Sequence, residues 1–400
     1  MLTRRNYLTL FYLFELEQNV RNPACRSIQN ILPGDKAKRD FHFLIYLKLK
    51  GMKKIAKQVL GIDVAQKELV VCLGRLYDDL TLELYSHGTF ANTKKGFDAM
   101  TTWVKKLTTE STPVRYVMEA TGVYHESLAY HLEESQSAVS IILPNKISNY
   151  FRTLDVRTIT DKTASEAIAR FGLERQLECW RRPRQIFKSL KQLTRERDQI
   201  VETRTVAKNQ LHAEMAEAFP NPSSVARVKK LIKLLDKQAA EIIKEITVLV
   251  KQDKEVNNSI ETICSIPGVG RLTAVTVLAE TNGFELIRNK RQLTSYAGLD
   301  VKEKQSGTSI KGKPRISKKG NRHLRKAMHL PALAAIRHEE KFKATFVRLV
   351  SKHGIKMKAA VAVQRKLLEM IYTIFKTNKT YRQDYQKVND IKSETETSMA

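Results

Sequence analysis

The order of the short apolar runs constrains this chain more than any other feature. Val59 to Asp63 and Leu69 to Leu73 are aliphatic or β-branched, and Leu80 to Tyr85 continues with the alternation of an antiparallel meander. A helical stretch from Lys95 to Lys106 follows, then a strand from Arg115 to Met118, a helix from His125 to Glu134 and a strand from Val139 to Leu143. Three strands followed by alternating helices and strands predict an α/β domain.

That order suits a ribonuclease H-like fold, and acidic residues fall where such a fold places a metal site. Asp63 stands in the aliphatic run VLGIDVAQ, where a carboxylate is costly unless it is paired or binds a cation. Glu119 ends the strand in RYVMEATGVY, at the carboxyl edge where ligands of α/β sheets gather. Asp161, in RTITDKTASEAIARFG, opens a helix carrying Ala164, Ala167 and Ile168 on one face. Three carboxylates from two strands and a helix suit Mg2+ or Mn2+, hard ions that share an oxygen shell with phosphate. Asp161 alone reads equally well as a helix cap.

With 70 Lys and Arg against 42 Asp and Glu, the chain carries a formal net charge of +28, which makes nucleic acid the leading partner class. No apolar run approaches the roughly 20 residues of a spanning helix, so no membrane is expected and the chain reads as cytoplasmic. Cys25, Cys72, Cys179 and Cys264 form no close pair, so neither a zinc site nor a disulfide framework is indicated. The charge is densest after Val301. Lys302, Lys304, Lys311, Lys313, Arg315, Lys318, Lys319 and Arg322 precede Arg325 and Lys326, and Glu303 is the one acid among them. Ser306, followed by Gly307, sits inside this segment with a backbone able to approach a phosphate. It suits a serine acting on a phosphodiester; the competing reading is a solvated basic loop that touches phosphates without chemistry.

Between these regions the pattern is helical. Val228, Ile232, Leu235, Ala239, Ile242, Ile246 and Leu249 form a heptad seam, and Ile186, Leu190, Leu193, Ile200, Ala207 and Leu211 a partner helix, separated by FPNPSS. An intramolecular hairpin and an intersubunit coiled coil fit equally, with Arg195, Arg197, Arg204, Lys229, Lys230 and Lys233 on a charged outer face. SIPGVGRLTAVTVLAE then reads as a helix-hairpin-helix, in which Gly268 and Gly270 let backbone N–H groups face a phosphate; a plain helical turn against the core is the alternative.

GIDVAQKELVV, VMEATGVYHESLAYHL, RTITDKTASEAIARFG, SIPGVGRLTAVTVLAET and LTSYAGLDVKEKQSG, in this order from about Met52 to about Lys376, resemble the transposases of the insertion-sequence-110 family. The resemblance implies a DEDD-type recombinase with a RuvC-like domain in front and a serine-bearing transposase domain behind. It maps the first Asp, the Glu and the third acid of the family tetrad onto Asp63, Glu119 and Asp161, and the catalytic serine onto Ser306, rather than Ser309 or Ser317. The fourth acid, three residues after the third, is here Ala164. Glu166 is close by and longer, although five residues along a helix turn it about 140° away from Asp161. The resemblance further implies DNA element ends and target as substrates, a structured guide RNA, a homodimer or homotetramer, and a bacterial cytoplasm with nucleoid association.

The expected architecture is thus α/β plus all-α. Residues 1–51 are an extension before Met52, and 52–180 a ribonuclease H-like, RuvC-like domain. A helical hairpin or coiled coil spans 181–262, a mainly helical transposase domain 263–376, and a polar tail 377–400. His323 and His329 read as structural or phosphate-contacting residues. Two other functions fit the residues: a Holliday-junction-resolving nuclease that uses the carboxylates alone, and a non-catalytic nucleic-acid-binding remnant, which Ala164 would suit.

Overall fold

The computed structural model describes residues 54–382 except 121, 155, 157, 286, 304, 307–309 and 313, with the backbone alone at Gln305, Ser306, Ile310 and Lys311. The expected extension, Lys304, Ser309, Lys313 and the tail from residue 383 lie outside the described residues. The chain divides into two compact units, the first ending at Arg182 and the second beginning at Pro183.

The first unit is built on a five-stranded sheet of β1 (Ile55–Val64), β2 (Glu68–Tyr77), β3 (Leu82–Ala91), β4 (Val114–Glu119) and β5 (Ala138–Ile142), in the order β3-β2-β1-β4-β5. The first three strands are an antiparallel meander, whereas β4 joins β1 in parallel and β5 joins β4 in parallel. This is the strand order of a ribonuclease H-like sheet. Strand periodicity assigns the faces. Leu60, Ile62 and Val64 pack beneath α1 (Lys94–Leu107) and α2 (Glu126–Glu134), in one core with Phe97, Met100, Leu128 and Leu132. Val59, Val117 and Ile142 face the other way, against α3 (Pro144–Phe151) and α4 (Asp161–Glu174), with Ile147, Ile168 and Leu173.

The second unit opens with α5 (Gln185–Met215) and α6 (Pro222–Gln252), an antiparallel pair closed by the proline turn. Asn221 caps α6, accepting from the N–H groups of Ser223 and Ser224. The heptad seam is buried at Val228, Leu235, Ala239, Ile242 and Ile246. These residues therefore close an intramolecular hairpin. The hairpin was expected as a segment of its own, but its base shares one core with the helices that follow: Phe187, Leu190, Ile246 and Val250 pack with residues of α7 (Lys254–Cys264), α8 (Arg271–Thr281), α9 (Lys290–Ala297), α10 (Arg322–Ala327), α11 (His329–His338) and α13 (Lys356–Thr377). Helix α12 (Glu340–His353) adds Phe342 to that core. After Lys376, Tyr381 donates its backbone N–H to Ser265 Oγ at 2.8 Å and packs on the core, so the docked chain runs past the expected start of the tail.

Candidate active site

Asp63 and Glu119 come together because of register. The parallel ladder of β1 and β4 pairs Gly61 with Val117 and Ile62 with Met118, so the next rung brings Asp63 beside Glu119. Both share the strand face of Gly61 and Val117, the face that α4 covers. Helix α4 crosses that face at very close range: a methyl carbon on Gly61 would lie 2.6 Å from Ala169 Cα and nearer still to the Ser165 carbonyl oxygen. Ser165, Ala169 and Gly172 are the small residues that permit this approach. One turn before Ser165, the start of α4 carries Asp161.

Thr160, not Asp161, caps this helix. The Thr160 hydroxyl accepts from the Thr163 N–H at 3.2 Å and the Thr163 hydroxyl from the Thr160 N–H at 2.8 Å, a reciprocal box. Asp161 instead occupies the first turn, where the helix dipole favours a negative charge. Electrostatics links the three acids. Burial raises the Asp63 carboxyl above the usual carboxylate range and the Asp161 charge raises it further; burial and the Asp63 charge do the same to Glu119.

Glu166 does not join them. Its Oε1 lies 2.8 Å from His87 Nε2 on β3, on the far side of β2 from Glu119, so the helical twist expected to point it away from Asp161 does so. Ala164 packs against the apolar core beside Val59 and Val117. Among the described residues no three His, Cys, Asp or Glu side chains stand at the spacing of a metal site. Asp63, Glu119 and Asp161 nonetheless fit a hard divalent ion chemically: all three are oxygen donors, and the Asp161 charge raises the proton affinity of Asp63 as the Asp63 charge raises that of Glu119.

The basic segment folds as a narrow two-stranded arm. Its outer rungs pair Val301 with Ile316 and Lys302 with Arg315, in β6 (Val301–Lys302) and β9 (Arg315–Ile316). Its inner rungs pair Gln305 with Lys311 and Ser306 with Ile310, in β7 (Gln305–Ser306) and β8 (Ile310–Lys311). Among the described residues, the Ser306–Ile310 rung is the innermost of the arm. Lys302, Arg315, Lys318, Lys319 and Arg322 are exposed, and Lys318 takes a left-handed φ of 53°. Ser317 is engaged at the base of the arm, its hydroxyl donating to Asp300 Oδ1 and its N–H to the Asp300 carbonyl at 2.8 Å.

Beneath the arm lies a cluster that the sequence reading missed. Glu280 of α8, with a fully buried side chain, receives Arg195 Nε at 2.7 Å on Oε1 and Arg195 Nη2 at 2.9 Å on Oε2. Asn321 Nδ2 adds a bond at 2.6 Å to Oε2, and the Tyr296 hydroxyl donates to the Glu280 carbonyl at 2.8 Å. Burial pushes the Glu280 carboxyl up, but the bonds from Arg195 and Asn321 and the Arg195 and Lys191 charges outweigh it and hold it below the usual range. Asn321 also returns its N–H to the Tyr296 carbonyl, and Arg325 Nη1 donates to the Ala297 carbonyl at 2.7 Å, so both ends of the arm are clamped. A lone acid inside the apolar run TAVTVLAET was the available signal, because such a charge must find a partner. Arg195 and Arg204 accordingly leave the charged outer face expected of them: Arg195 turns to Glu280, and Arg204 bonds Asp236 across the hairpin at 2.6 Å.

The turn between α7 and α8 divides its two glycines between different tasks. Gly268, at φ 89°, backs onto α11, where an added methyl would lie 2.6 Å from the Ala335 nitrogen. Gly270 caps α8, is exposed and has nothing within 4 Å of where a methyl would sit. His329 is a packing residue, its Nδ1 2.8 Å from Gln364 Nε2. His323 is held below its usual pKa, first by burial and then by the Arg195 charge.

Two family models match the chain. A DEDD transposase model of the IS110 type covers residues 60–220, and the model described as transposase IS116/IS110/IS902 family covers 260–347. The pilin gene-inverting protein of Moraxella lacunata is 26% identical over 333 residues, 82% of this chain and 98% of that one. The transposase for insertion sequence element IS1111A of Coxiella burnetii is 31% identical over 139 residues, 33% of this chain and 37% of that one. Among solved structures, Thermus thermophilus RuvC in complex with a Holliday junction substrate matches 31% of this chain and 99% of its own at 10% identity, with a TM-score of 0.23, a likeness too slight to build on. The two units together define a DNA transposase and recombinase. The chain belongs to the IS110 family of transposases. Among the described residues no helix is long and apolar enough to cross a membrane.

Proposed function

We propose that this transposase cuts and rejoins the DNA of its element with Ser306 as nucleophile and Asp63, Glu119 and Asp161 as the carboxylates that hold a divalent ion, Mg2+ or Mn2+. The observation that carries the reading is the meeting of Asp63 and Glu119 on adjacent parallel strands, with Asp161 brought to them by the close crossing at Gly61. The ion would supply charge neutralisation at the phosphate under attack. The Ser306 oxygen bonds to phosphorus, the bond from phosphorus to the departing strand's oxygen breaks, and that oxygen takes up the proton the serine gives up. The reverse attack by a strand hydroxyl frees the serine and joins the new ends. Lys302, Arg315, Lys318, Lys319 and Arg322 would grip the flanking phosphates, with Lys304, Lys311 and Lys313 of the same basic stretch of sequence. Gly270, at the open N-terminus of α8, would receive a phosphate in the manner of a helix-hairpin-helix.

The net charge of +28 supports a nucleic-acid load greater than one duplex, which suits a structured guide RNA beside the DNA. Exposed Leu231, Leu234, Ile243 and Val248 on α6 suit a second copy, so a homodimer or homotetramer is the working assembly, acting on the bacterial nucleoid. The test incubates the protein with Mg2+, RNA transcribed from the element's flanks and labelled end DNA. The expected product is a protein–DNA adduct that resists denaturation, requires the RNA and is lost in Ser306→Ala. Free cleaved DNA without adduct would favour a junction-resolving nuclease, and binding without cleavage a non-catalytic remnant.

A further inference from the structure

A second cationic site lies at the other end of α9 from the arm. Lys290 at the start of α9, Lys341 of α12, Lys366 of α13, and Lys379 and Arg382 of the docked segment after α13 line a groove of about 380 Å³. That is room for one nucleotide, since pockets that enclose small ligands begin near 300 Å³. Glu369, the acid on its wall, is bonded to Arg365 at 3.0 Å and so is largely neutralised. Lys366 Nζ approaches the Thr345 hydroxyl at 3.4 Å, and burial followed by the Lys366 charge lowers the Lys341 pKa. The floor differs from the rim: Met370, Ile374 and the half-buried Tyr381 offer apolar and aromatic surface. Tyr381 is held there by its bond to Ser265 Oγ. Cations over an apolar and aromatic floor match a phosphate with an unstacked base, which a duplex does not present.

We infer that this groove binds an unpaired nucleotide of a nucleic-acid strand, the base on Tyr381 and Met370 and the flanking phosphates on Lys341, Lys366 and Lys379. Helix α9 has 8 residues, about 12 Å of rise, and its far end leads into the Ser306 arm. A strand seated in the groove thus runs on toward the nucleophile. The partner class rests on the transposase reading, but the groove itself needs neither Ser306 nor the carboxylates.

The test measures binding of labelled oligo(dT), oligo(U) and duplex DNA across a salt series for the wild-type chain and K341E/K366E. For the double variant we expect short oligonucleotides to bind at least about tenfold more weakly, with a salt slope shallower by about 1.4, two single-strand phosphate contacts. Thermal melting should be unchanged because both lysines are exposed. The conservative K341Q and K366Q should each remove about half of that slope. Whichever of oligo(dT) and oligo(U) loses more identifies the strand as DNA or RNA. Unchanged affinity and slope in K341E/K366E, or a loss confined to the duplex probe, overturns the inference. A missing Ser306 adduct with lysine-dependent oligonucleotide binding would overturn the catalytic reading and leave this one standing.

Discussion

Gly61 and Ala169 stand so close that the helix opening on Asp161 rests directly on the strand bearing Asp63. The obstacle to a larger residue is backbone, which cannot rotate aside as a side chain would. Gly61→Ala should therefore destabilise the first unit by about 3 kcal/mol, the upper end for overpacking, and should move Asp161 away from Asp63. Chemical denaturation measures the first effect and loss of strand transfer the second. Ala169→Gly, which removes no obstacle, should not restore activity to that variant.

Asp63 and Glu119 are held half-buried with raised proton affinity, the sign of a site that costs stability. A carboxyl whose folded pKa lies above its unfolded one binds its proton more readily in the native state, so stability falls as pH rises through the interval between the two values. Asp63→Asn should abolish cleavage yet raise the melting temperature near neutral pH by a few degrees, about 1 kcal/mol. It should also flatten the decline just above the ordinary carboxylate range. Mg2+ should raise the melting temperature of the wild type and leave that of Asp63→Asn nearly unmoved.

Glu280 carries the opposite sign. Its folded pKa is depressed, so its contribution is complete above the unfolded value, near 4.5, and is lost as pH falls below it. Glu280→Ala removes the acceptor of the part-exposed Arg195 guanidinium and of Asn321 Nδ2 and should cost about 2–3 kcal/mol. Asn321→Ala removes the bond to Glu280 and also the cap of α10, where Asn321 Oδ1 accepts from the His323 and Leu324 N–H groups, so about 2 kcal/mol is expected, together with faster proteolysis of the arm. Unchanged proteolysis of the arm in Glu280→Ala would show that the arm is not clamped through Glu280.

The two glycines of the α7–α8 turn should respond in opposite ways. Gly268→Ala combines a left-handed φ with a clash against α11 backbone and should destabilise by at least about 2 kcal/mol. Gly270→Ala meets open space, so the melting temperature should hold while affinity for duplex DNA falls. Gel-shift and melting measurements on the same preparations separate the effects.

Much of the first unit was legible because strands and helices write their burial as periods of 2 and 3.6 residues. The run around Glu119 fell within a residue of β4 at both ends, and the helix at Asp161 starts where expected, whereas β1 begins at Ile55, four residues before the run that holds Asp63. The hairpin seam was legible for the same reason, but its partner was not: Val228, Leu235 and Ile242 bury equally well against a second copy or against α5. Chain connectivity through Asn221 and the shared core at Leu190 and Ile246 decided for α5.

What the sequence by itself determined is the element order, the basic character of the arm and the small residues at Gly61, Ala169 and Gly172. Each of these is local, carried by the composition of a few neighbouring positions. Only the tertiary structure decided that Glu166 turns to His87 and that Arg195 pairs with Glu280, 85 positions away. It likewise decided that Gly268 serves packing while Gly270 stays open. A charged side chain's energy depends on which opposite charge the fold brings within bonding reach, and no spacing along the chain encodes that distance.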